Sequence, residues 1–429
     1  MTTSQKKNYV MPIVMMFALF FMISFVTGLQ NPFGVIVKSQ FKASDFMSQL
    51  GNAANFIAYA FLGIPSGMLL KKIGYKKTAL LAIAVGFVGV GISLLSGKVE
   101  SFAVYLIGAF ISGFSMCLLN SVVNPLLNAL GGGGNKGNQL LLFGGTINSI
   151  GATITPVMVG FLIGNSMSPT ISDATPALLI AMGIFALAFI VLGAVNIPEP
   201  YAADDAATSG EKDKHSPLSF RHFKFGALAI FVYMGIELAV PNFVNLYLTR
   251  PLGDGGLAMD AAAAGAICGT YWFCMMLGRL FGGAIAAKYS SKTMISFVSI
   301  LGAALAFFAI IIPTTITVNM PVFNSDLSFG LSEVPISVML LVFVGFCSSI
   351  MWGGIFNLAV EGLGKYTSLA SGIFMVMVCG GGIIPLIQGA IADSFGYIAS
   401  YWVLVALFVY TLWYALIGCK NVNKDIPVE

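Results

Sequence analysis

Residues 231–242 read FVYMGIELAVPN, and Glu237 is the one charged side chain in a run otherwise suited to hydrocarbon. A charged carboxylate at the centre of a membrane span costs about 2.5 to 3.5 kcal/mol even on the lenient insertion scale, so it persists where it is used. Where water reaches it from alternate sides, a carboxyl takes up a proton on one side and releases it on the other. It also accepts hydrogen bonds from a polyhydroxylated ligand, or ties neighbouring helices together, and the residue type leaves all three roles open. Asn242 and Asn245 follow on the same helix. Pro241 lies between Glu237 and Asn245 and interrupts the backbone ladder, so one stripe carries an acid, a kink and an amide.

Amides recur at helical spacing elsewhere. Asn120, Asn124 and Asn128 stand at i, i+4 and i+8, and Asn52, Asn55 and Tyr59 at i, i+3 and i+7. Gln30, Asn31, Asn148, Asn357 and Gln388 extend the set. An amide donates and accepts, as a sugar hydroxyl does, so these side chains suit a hydroxylated solute. The alternative is interhelical hydrogen bonding, worth about 0.6 kcal/mol per contact. Asn128, near a helix end, is the weakest ligand candidate. Trp352 and Trp272 fall well inside apolar segments, where an indole either stacks on the apolar face of a sugar ring or packs among helices.

The elements that must position these groups follow from composition. The chain has 429 residues, 58% hydrophobic and 9% charged, with a mean hydropathy of +0.91, far more apolar surface than one soluble core hides. Apolar stretches of about 20 residues or more cross a bilayer as helix and are too long for barrel strands. The expected architecture is an all-α integral membrane protein with twelve spans, at 11–37, 46–71, 76–96, 101–127, 138–163, 175–197, 224–249, 260–287, 292–315, 335–360, 366–391 and 399–419. With both termini cytoplasmic, 17 of the 21 basic residues fall inside, leaving Lys38, Lys42, Lys98 and Arg250 outside; an odd number of spans destroys this bias.

Between Ile197 and Phe223 the composition turns polar and charged, which marks a solvated cytoplasmic linker. The chain is thereby expected to comprise a six-helix bundle over 1–197, a linker over 198–222, and a second bundle with a short tail over 223–429. The halves echo each other: GMLLKKIGYKKTAL after the second span and GAIAAKYSSKTMI after the eighth align Gly67 with Gly283, Lys72 with Lys288 and Lys76 with Lys292. GATITPVMVG and GGGIIPLIQG share a Pro followed four residues later by a Gly. Two repeats joined by a soluble linker are expected of a carrier that rocks one bundle against another around a midplane site. The 49 glycines suit close helix contacts. Lys72, Lys76, Arg279 and Lys288 are read as loop residues that either hold the halves together at the cytoplasmic face or simply anchor it.

Other classes find little support. The six cysteines have no CxxC spacing, so neither a disulfide framework nor a metal site is indicated, and no cofactor is expected. No nucleophile or set of convergent acids marks an enzyme. The net charge of +4 reflects topology rather than nucleic-acid binding. The first apolar run is too long for a signal peptide and lacks a small-x-small cleavage site. A membrane sensor would need a signalling domain, which the linker and tail do not offer.

GMLLKKIGYKKTAL resembles the cytoplasmic loop motif of the major facilitator superfamily. NSVVNPLLNALG, TINSIGATITP, VYMGIELAV, GRLFGGAIAAKYSSK and IMWGGIFNLAVEGLGKYTSLASG resemble the fucose-galactose-glucose:proton symporter family, nearer its glucose/galactose branch. The resemblance implies the major facilitator fold of two pseudo-symmetric six-helix bundles. It also implies a multi-pass protein of the bacterial inner membrane that takes up a monosaccharide with protons by alternating access; a monomer is the expectation, although the sequence itself does not reveal the oligomeric state. Glu237 then matches a Glu of the glucose/galactose branch, Asn124 and Pro125 its NP pair, and Asn148 a sugar-contacting Asn. Asn31 stands where the family has a first-span acid, Asn120 where fucose permeases have a Glu, and Gly145 where the family has a Gln. With His215 and His222 both in the linker, Glu237 is the membrane-embedded group left for proton coupling. Sodium coupling, downhill transport and another small polar solute are the alternatives.

Overall fold

Each of the twelve expected segments coincides with helix in a computed structural model that describes residues 9–41, 45–163, 170–199, 215–249, 252–259, 261–323 and 328–428. Helix α1 is Val10–Phe41, and α2, Asp45–Lys98, carries the second and third segments. At Gly74 the backbone leaves helical geometry with φ 82° and ψ 175°, a conformation open to glycine, and α2 reverses there. Then come α3 (Phe102–Leu130), α4 (Gly134–Ile163), α5 (Thr175–Ala194), α6 (Arg221–Thr249), α7 (Ala261–Ala286) and α8 (Ser291–Ile311). The tenth segment is split into α9 (Ile336–Ser348) and α10 (Met351–Val360), the eleventh into α11 (Thr367–Met377) and α12 (Gly380–Phe395). The twelfth comprises α13 (Tyr397–Ser400), α14 (Trp402–Trp413) and a π turn at Tyr414–Gly418.

Burial sorts the helices into inner and outer. In the most apolar stretch of α5 only 28% of residues are buried, against 72% for α9–α10, so α5 turns side chains such as Leu187 and Ile190 outward and α9–α10 fill the interior. Where helices meet most closely, small residues let them. A Cβ on Gly67 of α2 would stand 2.7 Å from the Ser368 carbonyl oxygen, and one on Gly372 of α11 2.5 Å from that of Gly63. In lipid such approach replaces the hydrophobic drive that water would supply.

The stretch between the ninth and tenth expected spans, to which the sequence assigns no element, is a β-hairpin, β1 (Thr317–Phe323) paired antiparallel with β2 (Phe329–Pro335), in a mostly helical molecule. The Phe323 N–H donates to Thr270 Oγ1 of α7 at 2.9 Å, and Phe273 stacks on Phe323 with ring centroids 4.8 Å apart. The linker is not all solvated, because its described ends are docked. The Glu199 carboxylate accepts from the Tyr75 and Lys76 N–H groups at 2.7 and 3.0 Å, which caps the helix that restarts after Gly74. Phe220, His222 and Phe223 are buried, with His222 Nε2 3.0 Å from the Glu361 carbonyl oxygen. Residues 200–214 lie outside the described ones.

Candidate substrate and ion site

Prolines in α3 and α6 set the local geometry. Pro125 has no N–H for the carbonyl of Ser121, four residues earlier, and that oxygen instead accepts from Ser371 Oγ of α11 at 3.2 Å. Pro241 likewise frees the Glu237 carbonyl, which accepts from the Tyr271 hydroxyl of α7 at 3.1 Å. Each kink thus turns a backbone acceptor toward another helix.

Around these kinks a polar chain crosses from the helices before the linker (α1–α5) to those after it. Asn120 Nδ2 donates to the Tyr59 hydroxyl at 2.9 Å, and Asn124 Nδ2 to the Asn120 carbonyl at 2.8 Å. Trp352 Nε1 of α10 donates to Asn124 Oδ1 at 2.9 Å, and its ring lies 6.0 Å from that of Tyr233. Arg279 then gathers the rest. Its Nη2 is 3.4 Å from both the Tyr233 hydroxyl and Glu237 Oε1. Its Nη1 donates to Ser149 Oγ at 2.8 Å and to the Gly145 carbonyl at 3.2 Å, and its Nε to the Ser349 carbonyl at 3.4 Å. The two charged side chains keep only 11% and 12% of their surface exposed, so each is desolvated and needs the other.

Arg279 is therefore no loop residue. It sits within α7, seven positions before its end, and reaches inward to Glu237. Lys72 and Lys288 are exposed, and Lys76 Nζ donates to the Gly193 carbonyl of α5 at 2.8 Å, a bond within the first group rather than between groups. Asn357 does not join the central chain. It accepts from Asn128 Nδ2 at 2.9 Å and donates to Ser291 Oγ at 2.9 Å, closing the groups together beside a cavity of about 410 Å³. Asn148 donates to the Phe20 carbonyl of α1 at 3.0 Å. Gln388 is fully buried and donates to Ser400 Oγ at 3.1 Å, away from the seam, and Asn55 is buried against α3. Asn242 and Asn245 are exposed toward the other end of α6. The side chains of Gln30, Asn31 and Asn52 lie outside the described ones. Among the described residues no cluster suits a metal ion.

The inter-group bonds named here cluster toward one end. With Gln139 Nε2 to the Gly283 carbonyl at 3.1 Å and the Gly67–Ser368 approach, they lie in the half of the molecule where α5 ends and α6 begins, called here the linker side. Sequence reasoning missed Ser149 and Tyr233, since Ser and Tyr are common in spans and carry no signal alone. It missed the position of Arg279 although the signal was present, because a basic residue within a predicted span needs a partner as much as an acidic one does.

A helical membrane protein whose two groups of spans meet along a buried, charged seam is built as a carrier. Residues 16–384 match the family model of the Major Facilitator Superfamily, and the chain belongs to that superfamily. It is 31% identical to a glucose/galactose transporter of Brucella abortus, over 98% of this chain and 97% of that one. A crystal structure of the E. coli fucose:proton symporter FucP superposes with a TM-score of 0.80 at 20% identity, covering 97% of this chain and all of that one. Another, of FucP in the outward conformation, gives 0.79 at 20% identity over 96% of this chain and all of that one.

Proposed function

We propose that this protein takes up a monosaccharide of the hexose or deoxyhexose type together with protons, by alternating access, as a monomer in a bacterial inner membrane. The observation that carries the reading is a line of side chains across the two groups, hydrogen-bonded from Tyr59 through Asn120 and Asn124 to Trp352, and joined by the ring contact of Trp352 with Tyr233 to Arg279 and Glu237. It offers what a neutral sugar needs: amides that donate and accept, an indole for the apolar ring face, and one acid. The names of the relatives, glucose/galactose transporter and fucose:proton symporter, point the same way.

In this reading both termini and the linker are cytoplasmic, and the two bundles are residues 1–197 and 223–429. The linker side is then the cytoplasmic gate, held by Asn128–Asn357, Gln139–Gly283 and the α2–α11 approach, and the described state is outward-facing. Sugar enters from outside and settles on Asn120, Asn124 and Trp352, and Glu237 receives a proton from the same aqueous side. Because Trp352 bonds to Asn124 across the groups, a sugar bound there touches both bundles and senses their relative position.

The test is counterflow of radiolabelled D-glucose, D-galactose and L-fucose in proteoliposomes, with pH and sodium gradients imposed separately. Counterflow of at least one of these sugars, and accumulation driven by an acid-outside gradient, is the expected result. No exchange of any of them would sink the sugar assignment, and accumulation that needs sodium instead would sink the proton.

A further inference from the structure

We propose that the β1–β2 hairpin anchors the chain in its membrane, lying along α7 with the apolar end of its outer face among the acyl chains of the leaflet opposite the linker side. The proposal needs only that the chain spans a bilayer, and it gives a role to an element that the carrier reading leaves without one. The hairpin begins level with the helix ends, since the N–H of Ile336, the first residue of α9, donates to the Ile316 carbonyl at 2.9 Å. Its other end folds back rather than standing out. Thr270 and Phe273, which hold Phe323, lie nine and twelve residues beyond Ala261 at the start of α7. Tyr271 packs on Gly345, nine residues into α9, so both helices give the same depth. At about 1.5 Å per residue the hairpin descends about 13 Å along them, within the roughly 20 Å reach of a seven-residue strand.

The descent follows the side of α7 that faces lipid. Arg279 and Gly283 turn toward α4, and Tyr271 and Gly278 toward α9. Thr270 and Phe273 lie on the side turned away from both sets. Two turns below Phe273 on the same stripe Leu280 is exposed, as are Phe281 next to it and Phe346 of α9, these two rings being 6.4 Å apart. The hairpin carries this apolar surface onward, with Phe329 65% and Leu331 72% exposed. Large side chains left open to that extent are unfavourable in water and at home against acyl chains.

Strand register grades the hairpin from polar to apolar. Cross-strand partners share a face, so Thr317 and the pairs Asn319–Glu333, Pro321–Leu331 and Phe323–Phe329 stand on one side, while Met320, Val322 and Val334 are buried on the other. The polar members sit at the base, where Thr317 Oγ1 donates to Glu333 Oε1 at 2.7 Å, and the apolar ones at the deeper end. The edge of β1 suits that end too. Its Phe323 N–H is taken by Thr270, and Pro321, two residues earlier on the same edge, has no N–H to leave unpaired.

The depth fits an interface rather than the bilayer centre. Thr270 stands 18 residues before Lys288, which is exposed just past the linker-side end of α7, and that length is about 27 Å against a hydrocarbon core of roughly 30 Å. The hairpin thus reaches the boundary of acyl chains and headgroups and stops there, where water still serves an open strand edge.

The test reads depth at two positions on the same face. A nitroxide label is placed at Leu331→Cys or at Asn319→Cys, one at a time, in a background with Cys268, Cys379 and Cys419 replaced by serine. Both side chains are exposed, so the label displaces little. In phosphatidylethanolamine and phosphatidylglycerol vesicles, its collisions are measured with oxygen, which concentrates in hydrocarbon, and with a water-soluble nickel chelate present on both sides. The ratio of oxygen to nickel collisions is expected to be several-fold higher at 331 than at 319. Equal ratios that favour nickel at both positions would show a hairpin standing in water and overturn the anchor. Shielding of 331 from both reagents, as a second copy of the chain packed on this face would give, would overturn it as well.

Discussion

Glu237 and Trp352 are the side chains whose loss should separate coupling from binding. Glu237→Gln keeps the shape and removes the titrating group, so gradient-driven accumulation should fall to background while counterflow remains measurable. Loss of both would make Glu237 a ligand or a brace instead. Trp352→Phe keeps a ring and removes the donor that reaches Asn124 Oδ1 at 2.9 Å. One hydrogen bond of about 1 kcal/mol corresponds to a roughly fivefold weaker apparent affinity, read as KM in counterflow. An unchanged KM would remove the indole N–H, but not the ring, from the sugar site. What the sequence disclosed at this scale was the acid, because a lone charge in an apolar run has no cheap explanation. Its partner went unread because Arg279 lies close enough to a span end to pass for a topological anchor. Asn357 and Gln388 read as ligands because an amide in a span looks the same whether it faces a cavity or a serine. In the structure Gln388 meets Ser400, whereas Asn357 meets Ser291 and Asn128 and also lines the linker-side cavity.

At the scale of elements, the paired glycines of α2 and α11 define a contact that tolerates no side chain. Gly372→Ala places a methyl 2.5 Å from the Gly63 carbonyl oxygen, with backbone on both sides and nothing flexible to yield. Overpacking of this kind costs about 1 to 3 kcal/mol, which the protein sheds by separating the helices, so the linker-side-open population should rise by about tenfold. Faster thiol labelling of Ala129→Cys, in the linker-side cavity, would report it, and an unchanged rate would show that α2 and α11 do not gate. The helices were legible because twelve apolar runs are punctuated by charge, Gly and Pro. The hairpin was not, although Val318, Met320 and Val322 stand at alternate positions, as one face of a strand requires, and Met320 and Val322 are buried. Pro321 and the expectation of helix alone masked the period. Replacing Thr270 by Val removes the acceptor for the Phe323 N–H and should cost about 1 kcal/mol, seen as a lower melting temperature in detergent. No shift would mean the hairpin is held by its Phe273 contact instead.

For the whole molecule, the proposed coupling of one proton at Glu237 to each sugar sets what one transport cycle would move. Glu237 and Arg279 form the one ion pair found within the spans among the described residues, and of the two only the carboxyl exchanges protons. A neutral sugar carried with one proton therefore brings one positive charge inward per cycle, so uptake must respond to membrane potential even with no pH difference. A charge crossing 100 mV gains about 2.3 kcal/mol, which at equilibrium allows sugar to accumulate up to roughly fiftyfold. An inside-negative potassium diffusion potential in proteoliposomes at equal pH should thus drive hexose accumulation that collapses when a protonophore is added. Glu237→Gln should show no such accumulation at any potential, while still equilibrating sugar by exchange. Uptake indifferent to potential would mean that the pair stays closed throughout the cycle, leaving Glu237 and Arg279 as a fixed brace around which the bundles rock without a coupling ion.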